Sequence, residues 1–206
     1  GNAKDFYIGL DDSADKLVIG EGSTVGTNSV LTITDDAVTI GDAAAVDSKL
    51  VFDGNAQDFY VALDDSADDL LIGVGSTVGT TPAIHIDENQ VVKFDAGIQE
   101  ESTAVSSSSN AATINLNLGT VFTHTLSENV TYTFSNPAVS GYASTFILKV
   151  TQDSSARTIT WPGSVDWAGG TAPTISTGSG DVDVFVFHTV DGGTIYYGFT
   201  AGQDLT

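Results

Sequence analysis

The stretch GNAKDFYIGLDDSADKLVIGEGSTVGT at residues 1–27 comes back as GNAQDFYVALDDSADDLLIGVGSTVGT at residues 54–80. Extended to residues 1–34 and 54–87, the two copies agree at 22 of 34 positions. Self-similarity at a fixed spacing, in units of short apolar strands and polar turns, points to a modular object rather than a globular enzyme.

Working outward from that repeat, the period is two almost everywhere and helical periodicity is nearly absent. Phe6, Ile8 and Leu10 alternate with Tyr7 and Gly9, the Asp11–Asp15 turn follows, and Leu17–Ile19 returns, which reads as a hairpin. GSTVGT at Gly22–Thr27 is a second turn, with Val30–Ile33 and Val38–Ile40 as further strands. The second copy repeats the plan with Phe59, Val61 and Leu63, then Leu70–Ile72, Ala83–Ile86 and Val91–Phe94. Each strand carries two or three large apolar residues. That is little against a chain entropy of roughly 1–2 kcal/mol per ordered residue. Burial against other chains is the economical solution, and three copies around a common axis would close one core. Residues 1–99 are therefore expected to form an elongated, trimeric β-repeat shaft with units 1–53 and 54–99.

Residues 100–112 (EESTAVSSSSNAA) are rich in serine and hold Val105 as their one large apolar side chain, so they read as a neck or linker. From 113 to 206 the alternation resumes in a tighter form. Ile114, Leu116 and Leu118, then Val121–Leu126, Val130/Tyr132/Phe134, Phe146/Leu148/Val150, Arg157–Trp161, Val182–His188 and Ile195–Thr200 are seven strands, with Asp191-Gly192-Gly193 a hairpin signal before the last. That spacing fits a β-sandwich of jelly-roll-like type. Val182–Phe187 is apolar on both faces, as a central strand or one at a subunit contact would be. The fold class is all-β throughout.

Composition narrows the partners. Lys and Arg number 6 against 27 acidic residues, a formal charge of −21. Nucleic acid and anionic membrane surfaces both need clustered cations and are disfavoured. The surface suits a salty medium, where self-repulsion is screened within roughly 3–8 Å. With no cysteine, disulfides and thiolate metal sites are excluded. No apolar run nears the ~18 residues that span a bilayer, and no signal-peptide pattern is visible. The chain has no Met and opens inside a repeat, so it is read as a fragment of a longer polypeptide or a trimmed one.

Candidate chemistry is sparse. The DDSAD loops (Asp11, Asp12, Asp15; Asp64, Asp65, Asp68, with Asp69) resemble the opening of a calcium loop. An EF-hand also needs Gly at position six and Glu at twelve, where these loops have Lys16 or Asp69 and Gly22 or Gly75. They read as solvated turns, and a weak Ca²⁺ site stays open. His85, His124 and His188 lie in strands without HxH or HxxxH spacing, no G-x-S-x-G elbow occurs, and no two carboxylates stand out as a glycosidase pair. The glycines sit in turns, not in a phosphate-cradling loop. No catalytic residue, metal ligand or cofactor is assigned, and the chain is not read as an enzyme. The aromatics say more. Tyr196 and Tyr197 are adjacent on a strand, so one must point outward. Trp161 ends a strand and reads as core, whereas Trp167 lies in a Gly/Thr-rich loop and is expected to be exposed. Trp167, Tyr196 and Tyr197 are the candidate glycan-contact residues.

The pieces LGTVFTHTL, VTYTFSNP, FILKVTQD, RTITWPGSVDWAGGTAPTIS, VDVFVFHTVDGGTIYYGF and AGQDL, within residues 115–205, resemble the C-terminal β domain of tail-fibre and other virion-tip proteins of marine bacteriophages. The unit from Asp53, DGN-x-DFY-x-x-LDDSADDLLIG-x-GSTVGT, is similar to a repeat of such fibres. The resemblance implies a homotrimeric, extracellular tail-fibre segment of the virion. Its partners would be other tail proteins and a bacterial surface glycan or protein. It carries over no catalytic residue. A cell-surface adhesin fragment of a marine bacterium fits the repeats and acidity equally, and a polysaccharide-degrading tail spike is a third reading.

Overall fold

Strand pleating puts Phe6, Ile8 and Leu10 on one face and Tyr7 and Gly9 on the other, and the architecture of the first half follows from what each face meets. A computed structural model of the chain describes residues 4–205; the first three residues of the repeat and Thr206 lie outside the described residues. The chain divides into two units, Gly1–Ile98 and Gln99–Thr206.

The first unit holds two antiparallel meanders. One is β1 (Phe6–Asp11), β2 (Lys16–Glu21), β3 (Ser29–Ile33) and β4 (Val38–Ile40), paired in that order. The other is β5 (Ser48–Phe52), β6 (Phe59–Asp64), β7 (Asp69–Val74), β8 (Pro82–Ile86) and β9 (Val92–Phe94). The repeat boundary at 53/54 thus falls inside the β5–β6 turn, where the Gly54 N–H donates to Asp58 Oδ1 at 3.1 Å. β5, at the end of the first sequence repeat, pairs with the second sheet. Each DDSAD turn places its last Asp in the left-handed region, with φ +51° at Asp15 and +56° at Asp68, a conformation Asp tolerates through local hydrogen bonding.

The second unit is a two-layer β structure around one core. It adds β10 (Thr103–Ala104), β11 (Ala111–Asn115), β12 (Val121–Thr125), β13 (Val130–Ser135), β14 (Ser144–Thr151), β15 (Ile159–Thr160), β16 (Val165–Trp167), β17 (Val182–Thr189) and β18 (Tyr196–Leu205). Six strands form one sheet in the order β10-β12-β14-β17-β18-β16, and three form the other, β11-β13-β15. β17 is an interior strand, and both its neighbours run antiparallel to it.

Two expectations are corrected here. From β10 to β15 successive strands alternate between the sheets, and like-sheet neighbours are parallel. This is a helical winding, whereas a jelly roll is made of antiparallel Greek keys; alternation along a strand cannot distinguish the two. The serine-rich segment 100–112 is also not a free neck. β10 lies in it and β11 starts in it, extending both sheets, Ala112 is buried, and Val105 packs on the core. Glu100 accepts from Thr120 Oγ1 at 2.5 Å and also from the Thr120 N–H. Small residues suffice because the terminal coil needs backbone pairing more than bulk.

The core is aromatic. Phe134 meets Phe146 at 5.0 Å and Phe187 at 4.9 Å, centroid to centroid, edge to face, and Tyr132 stacks on Trp161 at 5.5 Å. Beneath the sheet end, buried Asp183 accepts from the N–H and hydroxyl of Ser176, both at 2.7 Å, and from the Asp204 N–H at 3.1 Å. These bonds tie the 171–180 loop to the end of β18.

Candidate functional site

The most unusual surface lies in the first unit. On one side of each meander the chain roofs itself. GSTVGT is not a simple turn: it folds back so that Val25 lies against Gly9, and Val78 packs on buried Tyr60, Ala62 and Leu71. Tyr7 Oη donates to Thr27 O at 2.7 Å and accepts from the Gly26 N–H at 3.2 Å, pinning the first roof.

The opposite side is bare. In the first sheet the register aligns Ile8, Ile19, Leu31 and Ile40 in one row across four strands, with Leu10, Leu17, Ile33 and Val38 beside it. In the second, Leu50, Val61, Ile72, Ile84 and Phe94 form the equivalent row. Leu10 is 78% exposed and Ile72 is 42% exposed. A soluble monomer rarely leaves such contiguous apolar surface open. The strand charges stay off this side. Lys16, Lys49, Asp69, His85 and Lys93 share the roofed side. Glu21, paired with Lys4 at 2.8 Å, is the one acidic strand residue on the open face among the described residues.

The DDSAD loops are closed by their own bonds. Ser13 Oγ donates to Asp11 Oδ1 at 2.6 Å and Ser66 Oγ to Asp64 Oδ1 at 2.7 Å. The Ser13 bond holds the Asp11 carboxyl below its ordinary range. Among the described residues no group of three or more His, Asp or Glu is arranged to hold a metal.

The aromatic candidates separate. Trp167 is only 9% exposed and packs its ring edge-on against Trp161 at 5.3 Å, Phe187 at 5.6 Å and Phe185 at 6.1 Å, with Gly198 beneath it. The expectation that its loop would present it to solvent is overturned. The loop begins as β16, paired with β18, which turns the indole inward. Tyr196 is 2% exposed and also core. Neither ring has a free face for a sugar. Tyr197 is the outward neighbour, 45% exposed, with Phe199 two residues along the same strand. Across the sheet Tyr197 lies level with Asp166, His188 and Thr145, and Thr145 Oγ1 is 2.7 Å from His188 Nδ1. Trp161 is partly buried against the core.

Of the other histidines, His124 is buried with Nδ1 2.7 Å from Tyr132 Oη, and burial pushes its ring below the ordinary histidine value and the Tyr132 phenol upward. His85 stands between Asp95 at 2.6 Å and Asp69 at 3.3 Å. HxH or HxxxH spacing does not reveal this last grouping, because its members come from three different strands and turns. The signal was in the repeat itself: Thr32 and Lys16 of the first copy become His85 and Asp69 in the second.

Comparison with family models, with curated proteins and with solved structures found no match.

Proposed function

We propose that this chain is a non-enzymatic structural and adhesive segment of an extracellular appendage, a homotrimer serving as part of a bacteriophage tail fibre that mediates or supports attachment to a bacterial surface. One observation carries the reading: two tandem sheets, each roofed on one side by its own loop and bare and apolar on the other. A module built this way lacks half of its core as a single chain. Repetition along the chain and association between chains are the two ways to supply it, and a fibre uses both. The acidic charge of −21 keeps such an assembly soluble and away from nucleic acid. Three copies of Tyr197 would offer repeated weak contacts to a surface glycan or protein, gaining avidity through effective concentration.

The test is a native mass measurement joined to a cell-adsorption assay. A trimer that adsorbs to susceptible bacteria supports the reading. A folded, cooperatively melting monomer sinks the assembly. A trimer that adsorbs to no cell removes the adhesive role.

A further inference from the structure

We infer that the open faces of the two meanders are covered by further copies of this same chain, lying parallel and in register, first sheet against first sheet and second against second. The inference rests on the oligomeric reading above and adds the surface and its register.

The area is sufficient. In the second sheet, ten large apolar side chains, from Leu50 to Phe94, stand on this face or along its rim with roughly a third to a half of their surface open. At ~150–200 Å² per large side chain this amounts to on the order of 800 Å², what each partner contributes to a stable interface. The first sheet adds a second patch whose exposures reach higher, at Phe6, Ile8 and Leu10.

The periodicity names the occupant. The row Ile8-Ile19-Leu31 returns as Val61-Ile72-Ile84 after 53 residues. A partner matching both patches must carry the same spacing, and another copy of the chain does so without further specification. Charge agrees. A chain of −21 can approach its twin only through a surface free of carboxylates, and in the second sheet this face has none while the roofed side holds Asp64 and Asp69. The register follows from the one exception. Glu21 occupies the place that Val74 takes in the second sheet. In a parallel packing each Glu21 stays at one level beside the Lys4 residues of all copies. An antiparallel packing would set each Glu21–Lys4 pair on the uncharged second face, where no charge from another copy meets it to offset its desolvation.

The absence of cysteine makes a clean test possible. Single variants Ile19→Cys, Ile72→Cys and, on the roofed side, Lys93→Cys would be treated with a bifunctional thiol linker spanning about 10 Å, the spacing of packed sheets. Native mass would be recorded for Ile72→Glu. The expected result is cross-linking of Ile19→Cys and of Ile72→Cys each alone, none for Lys93→Cys, and conversion of Ile72→Glu to monomer. An oligomer that survives Ile72→Glu, with the Ile72→Cys variant left unlinked, overturns this inference and leaves the oligomeric reading standing. Linking only in a mixture of the Ile19→Cys and Ile72→Cys chains overturns the parallel register. A monomeric wild type overturns both.

Discussion

The ring of Tyr60 fills the space above Gly73, its cross-strand partner: a Cβ on that glycine would fall 2.5 Å from both Cζ and Oη of the tyrosine. Tyr7 and Gly20 repeat the arrangement in the first sheet, at 2.7 and 2.5 Å. The glycine gives up its own side chain so that a large ring from the neighbouring strand can lie flat under the GSTVGT roof. Aromatic cover of a strand glycine also shields backbone that the glycine leaves open.

The two tyrosines differ at their tips, and the same substitution should therefore act differently in the two repeats. Tyr7 Oη makes two hydrogen bonds, whereas Tyr60 Oη is buried with no partner among the described residues. Tyr7→Phe is expected to cost about 1 kcal/mol, and Tyr60→Phe to leave stability unchanged within about 0.5 kcal/mol or to raise it. Gly73→Ala, which also meets the Thr81 carbonyl at 2.7 Å, should cost about 1–3 kcal/mol. Thermal melts of the three variants check the set; equal losses for both tyrosines would contradict it.

Asp64 and Asp69 face each other across β6 and β7, where the first repeat has Asp11 opposite Lys16. Opposed like charges destabilise a sheet, and His85 on β8 brings its Nδ1 within 3.3 Å of Asp69 Oδ2. His85→Thr, which restores the residue of the first repeat, should cost about 1–2 kcal/mol. Adding Asp69→Lys should recover part of that loss, giving a coupling of about 0.5 kcal/mol or more in a double-mutant cycle. Additive effects would mean that the two positions do not act together.

His124 sets an acid slope on the second unit. Burial lowers its pKa in the fold, so the unfolded chain binds the proton first as pH falls below about 6.5. In that window the unfolded state holds more protons. Stability therefore rises with pH and is lost as pH falls from about 6.5 through the lower folded value. Both tryptophans, Trp161 and Trp167, lie in this unit, so their fluorescence reports its unfolding alone. His124→Gln is expected to flatten the slope below about pH 6.5. An unchanged slope would rule this account out.

Trp167 and Tyr197 should part company in mutagenesis. Trp167→Ala removes a buried indole from an aromatic cluster and is expected to cost about 3–5 kcal/mol. Tyr197→Ala changes an exposed ring and should stay within about 0.5 kcal/mol of wild type while reducing adsorption to cells. A stable Trp167→Ala protein with impaired adsorption would reverse the two roles.

Period-two alternation and the Asp/Gly turns were enough to locate most strands and hairpins, and to show that one of Tyr196 and Tyr197 points outward, though not which one. Those features depend on neighbours within a few residues. The fate of Trp167 does not. It was decided by pairing between β16 and β18, about 30 residues apart, which no local composition encodes. The parallel winding of β10 to β15 escaped for the same reason, as did the folding of the serine-rich segment into the sheets.

What the amino-acid order determined alone is the repeat, the all-β character, the period-two alternation of most strands, and a strongly acidic charge. What only the tertiary structure decided is which side of each meander is left open. Val25 and Val78 close one side by folding over residues some 16 positions earlier in the chain, Gly9 and Ala62 respectively. A loop's choice of face is settled by long-range packing, and the bare surface opposite is its consequence.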